Sequence, residues 1–168
     1  VAGQRRDERR DEGRELGAVS IPCSEMLRHK DLAFRVEHSG ARLVVADRPV
    51  EGEVEGLDAE VLFTDATGLD EEREDAATVD TAATDLAFIL YTSGSTALPK
   101  GVTLAHGGII GNGFNIGERQ HLTAADRLWL AVPLFWSFGS ANALPAILSH
   151  GGCAVLQESF EAGEALEL

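Results

Sequence analysis

The sequence is poor in sulfur and in bases, and it has no long apolar run. Its two cysteines, Cys23 and Cys153, lie far apart with no partner at zinc-like or disulfide-framework spacing. They read as small buried hydrophobes. No apolar stretch approaches the length of a membrane span, and no basic start followed by an apolar centre marks a secretory leader. Fourteen Lys and Arg stand against 28 Asp and Glu, a net charge of −14, which argues against nucleic acid or an anionic membrane surface as partner. The setting these absences leave is the cytoplasm. The chain opens on Val1 and its single methionine is Met26, so the expectation is that the true start lies elsewhere.

What is present is ordinary for a globular chain, with 44% apolar and 25% charged residues. A length of 168 residues suffices for one domain with a core and is short for two. Residues 1–15, VAGQRRDERRDEGRE, have no apolar face to bury and predict a disordered arm or frayed helix. Residues 16–168 are then the domain. Between Glu51 and Asp80 the chain is strongly acidic, with Arg73 as its one base. This region reads as a solvated loop, against the alternative of an acidic partner-binding strip.

From Leu16 the pattern alternates between strand and helix. Leu16 to Pro22 predicts a short strand. Ser24 or Asp31 is placed to cap a helix carrying Leu32, Ala33 and Val36, with Gly40 as its stop. Leu43 to Ala46 follows as a buried strand and Val61 to Phe63 as another short one. Further on, Val102 to His106 predicts a strand, Gly107 to Gln120 a glycine-loaded helix, and Arg127 to Val132 a strand. Ser137 to Ser149 predicts a helix, Cys153 to Leu156 a strand, and the acidic tail helix-like structure. This order predicts an α/β fold of layered strands and helices. The five glycines of 107–120 point to close packing or to a backbone beside a ligand.

The most informative stretch is Leu86-Ala-Phe-Ile-Leu-Tyr91 followed by Thr92-Ser-Gly-Ser-Thr-Ala-Leu-Pro-Lys-Gly101. The first half predicts a buried strand. The second suits an anion: Thr92, Ser93, Ser95 and Thr96 offer hydroxyls, Gly94 lets backbone amides come close, and Lys100 adds a positive charge. A Walker loop is excluded, because Lys100 follows Pro99 and precedes Gly101 instead of standing between glycine and a hydroxyl residue. That failure weakens the reading as a nucleotide-binding phosphotransferase. Strand, loop and following strand predict a hairpin with Thr92 to Gly101 as a mobile tip.

Tyr91 to Gly101 resembles the signature Y-T-S-G-S/T-T-G-x-P-K-G of the acyl-adenylate-forming family, which includes acyl-CoA synthetases, peptide-synthetase adenylation domains and luciferases. The match holds at every defined position except Ala97. A β-carbon at Ala97 costs roughly 1–2 kcal/mol if φ there is positive and nothing if it is negative. Leu16 to Val19, Pro22 and Ser39 to Val44 also resemble the family, in its order. Pro133-Leu-Phe-Trp-Ser-Phe-Gly139 resembles its P-L-F-H-x-x-G block, with Trp136 in place of histidine. The F-D-x-S pattern of peptide-synthetase domains is not seen here, so an acyl-CoA synthetase is the better fit.

The resemblance implies a partial N-terminal domain of an acyl-adenylate-forming enzyme. Thr92, Ser93, Gly94, Ser95 and Thr96 would wrap the β- and γ-phosphates of ATP. Lys100 would be the catalytic cation, as a charge for phosphate or as a positioner of the loop. Phe135, Trp136 and Gly139 would line the acyl pocket, with core packing as the competing reading of the aromatics. His106 is placed with that pocket, against a capping or packing role. The implied co-substrates are ATP with Mg2+, a carboxylic acid and coenzyme A, and no protein-held metal is expected. The family's later motifs do not occur in this sequence, which implies a fragment inactive alone. A non-catalytic remnant or an acidic partner-binding module is the alternative.

Overall fold

The computed structural model describes residues 17–65, 79–92, 98–157 and 162–165. The predicted charged arm 1–15 lies outside the described residues, as do Ser93 to Ala97. The chain divides into two compact units, the described residues of one falling within 23–77 and of the other within 15–22 and 78–168.

In the first unit, helix α1 (His29–Ser39) ends as expected at Gly40, whose φ of 69° is left-handed and suits a residue without a β-carbon. Its start differs from the sequence reading. The cap position is Arg28, and Asp31 acts from the third helical position by accepting the Arg28 N–H at 3.3 Å. Ser24 instead closes a local turn by accepting the Met26 N–H. Glu53, in the one-turn helix α2 (Glu51–Val54), accepts the His29 N–H at 2.6 Å and pairs with Arg28 at 3.1 Å. These bonds, the His29 one foremost, hold its carboxyl below the usual range.

Strands β1 (Leu43–Ala46) and β2 (Glu60–Phe63) pair in parallel, Leu43 opposite Glu60 and Ala46 opposite Phe63. β1 was expected to be buried, yet only Ala46 is; Leu43 and Val45 are half exposed or more. A two-stranded sheet covers one face at most, so alternate side chains meet solvent. Part of the acidic region is ordered. Arg48 stands over the Phe63 ring and gathers Glu51 and Asp65 at 3.1 and 2.9 Å.

The second unit is built on β3 (Leu86–Thr92) and β4 (Lys100–Ala105), an antiparallel pair running from Leu86↔Ala105 to Thr92↔Lys100. Ala87 and Leu90 are its buried residues. On its other side β3 receives one parallel bridge from Ser20, which is all the structure keeps of the strand predicted over 16–22. Gly17 turns the chain at φ 64° just before it.

Helix α3 (His106–Gln120) follows β4 without an intervening residue. Two of its glycines pack on the next helical segment: a β-carbon on Gly113 would lie 2.5 Å from Pro145 Cβ, and one on Gly117 would lie 2.3 Å from the His150 ring. The opposing helix α4 (Leu144–Ser149) is preceded by a π-helical stretch, Phe138–Ala143, in place of one continuous helix over 137–149. Ile147 of α4 is fully buried. Strands β5 (Arg127–Leu130) and β6 (Cys153–Leu156) pair in parallel, and a short helix α5 (Ala162–Ala165) follows. β5 stops at Leu130, two residues short of the expected Val132. Asp126 leads into β5 and accepts the Thr123 hydroxyl and N–H at 2.8 and 2.7 Å, which holds its carboxyl low. Cys23 and Cys153 are exposed, correcting the expectation of buried thiols.

Candidate active site

The hairpin reads directly from its sequence: two β-forming runs with small, polar residues between them. Thr92 and Lys100 form its last described rung, both exposed, so the loop between them is delivered from a strand pair. The predicted tip of Thr92 to Gly101 is therefore too long, since Thr92, Lys100 and Gly101 all belong to the ladder. Gly101 is closely packed by side chains of β3. A β-carbon there would stand 3.0 Å from Ile89 Cγ2 and 3.5 Å from the Tyr91 ring. Leu98 is exposed and Pro99 half-buried, and Lys100, exposed, opens β4. Ser93, Gly94, Ser95, Thr96 and Ala97 lie outside the described residues.

His106 does not end β4 as expected. It opens α3, half-buried, with its N–H on Asp85 O at 3.0 Å, while Gly107 N–H donates to Ala83 O at 2.8 Å. The whole of β4, roughly 20 Å at about 3.4 Å per residue, separates it from Lys100. His106 thus belongs to the foot of the hairpin.

The aromatic block forms a second group. Pro133 to Gly139 folds back on itself: Trp136 N–H donates to Pro133 O at 3.2 Å, and a β-carbon on Gly139 would meet Pro133 O at 2.7 Å. Ser140 donates to Trp136 O from both its N–H and its hydroxyl, at 3.1 and 3.0 Å. Phe135 and Trp136 meet edge to face at 5.5 Å. Trp136 and Phe138 are 58% and 60% exposed, so neither is a core residue in this chain. Phe135 alone of the three is half-buried.

Sequence reasoning missed the residues that link these groups. Asn112, on α3, donates from Nδ2 to Asn142 Oδ1 at 2.7 Å and to Ala141 O at 3.2 Å, tying α3 to the π-helical stretch. The signal available was an asparagine inside a glycine-loaded helix, a poor helix former with no evident cap to make. His150 fills the space above Gly117, stacked on Phe114 at 5.1 Å with Glu118 3.2 Å from Nε2. Chemically, the hairpin offers an exposed cation beside a hydroxyl-rich loop, and the block offers an exposed aromatic surface. Among the described residues no group of three His, Cys, Asp or Glu could hold a metal ion, and no helix is long and apolar enough to cross a membrane.

Comparison with known proteins bears on the family and the fold. The acyl–CoA ligase YtcI of Bacillus subtilis, itself uncharacterized, is 31% identical over 166 residues, covering 90% of this chain and 31% of its own length. The 2-succinylbenzoate–CoA ligase of Geobacillus kaustophilus is 32% identical over 157 residues, with the same coverage. The chain thus spans about a third of these relatives. Apo MatB from Rhodopseudomonas palustris superposes with a TM-score of 0.78 at 26% identity, over 89% of this chain and 32% of that one. The ATP-bound form of MatB gives 0.77 at 27%. The fold is accordingly the α/β fold of the N-terminal region of adenylate-forming enzymes, present here in part. The family described as AMP-binding enzyme matches residues 15–167, nearly the whole sequence, and the chain belongs to that family.

Proposed function

We propose that residues 16–168 supply the phosphate-holding part of an ATP-dependent acyl-CoA synthetase, with 1–15 standing outside the domain. The reaction couples a carboxylic acid to AMP with release of pyrophosphate, then passes the acyl group to the thiol of coenzyme A. The observation that carries this is the Thr92–Lys100 rung, which presents Lys100 at the end of the hydroxyl-rich loop. Attack of a carboxylate on the α-phosphorus builds charge on the departing pyrophosphate, and a fixed cation with hydroxyl donors stabilises it. In this reading Thr92, Ser93, Gly94, Ser95 and Thr96 clasp the β- and γ-phosphates, and Mg2+ arrives with ATP. Phe135, Trp136 and Gly139 border the acyl chain, Trp136 narrowing the entrance. Trp136 and Phe138 are exposed in this chain and so are available to such a wall. His106 is placed with that pocket or packs at the start of α3, where its N–H donates to Asp85 O. A cytoplasmic setting belongs to the proposal, since both ATP and coenzyme A are charged, water-soluble molecules.

The test is Lys100→Ala in a full-length enzyme carrying this region. Losing a charge-assisted hydrogen bond removes about 1.5–3 kcal/mol, or roughly ten- to hundredfold in adenylation rate. Transfer from a preformed acyl-adenylate should change less. Adenylation at the parental rate, or a defect confined to thiol transfer, would remove Lys100 from the phosphate site. Ala97→Gly, restoring the family residue, is expected to leave adenylation unchanged or faster.

A further inference from the structure

We infer that Asn112 is a positioning residue for the acyl-binding block, acting through the π-helical stretch Phe138–Ala143; the inference rests on the function proposed above. A π-helical turn is wider than an α-helical turn and disturbs the regular pairing of its carbonyls. Ala141 is buried in this stretch, and its carbonyl oxygen takes a hydrogen bond from Asn112 at 3.2 Å. A carbonyl only accepts, so the amide nitrogen of Asn112 must face it. The second hydrogen of that nitrogen goes to Asn142 Oδ1 at 2.7 Å, so one side chain grips two successive residues of the π-helix.

The gripped stretch begins with Phe138 and Gly139, the end of the aromatic block. Its next residue, Ser140, donates twice to Trp136 O. The chain of bonds therefore runs from α3 through Asn112, the π-helical turn and Ser140 to the backbone of Trp136. Gly139 leaves no slack, because a β-carbon there would stand 2.7 Å from Pro133 O. Asn112 touches neither proposed substrate; it sets where the aromatic wall stands.

The first test uses the 168-residue chain and needs no activity. In Asn112→Ala and in Asn112→Asp, which keeps the volume but cannot donate, amide exchange across 136–146 should accelerate about three- to tenfold, the loss of one ordinary hydrogen bond. Exchange in β3 and β4 should stay at the parental rate. A packing role for Asn112 would be met by the near-isosteric aspartate and would spare that variant. In a full-length enzyme carrying this region, both variants should raise the KM for the carboxylic acid about three- to tenfold and leave the KM for ATP within twofold. Parental exchange over 136–146, or an active variant with an unchanged carboxylate KM, overturns the inference. A parent that makes no acyl-adenylate sinks the proposed function, and with it the acyl role of the block, a result separate from either of those.

Discussion

At the scale of single residues, the glycines of α3 divide by what surrounds them. Gly113 has backbone atoms of α4 within 2.8–3.0 Å of where a β-carbon would stand, whereas Gly111 has nothing within 4 Å. Gly113→Ala should therefore destabilise the chain: overpacking against rigid backbone costs about 1–3 kcal/mol and outweighs a helix-propensity gain of about 1 kcal/mol. Gly111→Ala keeps only the gain and should raise stability by about 1 kcal/mol. Urea titrations of the two variants check the pair, and equal shifts of the same sign would contradict the packing account. Asp126 carries a pH signature. Hydrogen bonds from Thr123 lower its folded pKa, so its contribution is full above the unfolded value of about 4 and is lost as pH falls through the lower folded one. Asp126→Asn should thus be less stable than the parent at neutral pH, and the difference should shrink as pH falls below about 4, by denaturant midpoints across that range.

At the scale of elements, what was legible followed local chemistry. Gly40 ends α1 because a left-handed residue was needed there, and the hairpin forms because Leu86–Tyr91 and Val102–Ala105 flank a polar, glycine-bearing loop. The glycines of 107–120 announced close packing, and α4 supplies the partner. What failed depended on neighbours distant in sequence. Among the described residues of 16–22 only Ser20 pairs with β3, bonding to Ala87 and Ile89 on either side of Phe88. His106 enters α3 because its N–H finds Asp85 O, a contact with no sequence signature. The π-helix replaces α-helical pitch where Asn112 and Gly139 constrain the turn, and no periodicity in FGSANA encodes that. The site was legible as residue types along the chain. That His106 opens the helix instead of closing the strand was not, because the two elements meet there without an intervening residue.

At the scale of the whole molecule, the chain covers about a third of the relatives named above. The 168-residue protein is expected to make no acyl-CoA, and a carboxylate-dependent release of pyrophosphate from ATP by the purified chain would refute this. Its second unit nonetheless has a measurable core. Both tryptophans, Trp129 and Trp136, lie in that unit and report on it by fluorescence. Ile147→Ala removes its fully buried side chain and should lower the stability seen by that signal by about 2–5 kcal/mol. A shift below about 1 kcal/mol would mean that the site collapses without a cavity.

The joint between β4 and α3 has a mechanical consequence. With no linker at Ala105–His106, and with His106 and Gly107 moored to Asp85 and Ala83, the hairpin and the helix share one pivot. The 15-residue helix is a lever roughly 22 Å long at 1.5 Å per residue. A tilt of about 10° at the pivot would sweep its far end through roughly 4 Å, several times the tolerance of a close-packed contact. Because Gly113 and Gly117 are seated directly on α4, that stroke is blocked unless α4 travels with it.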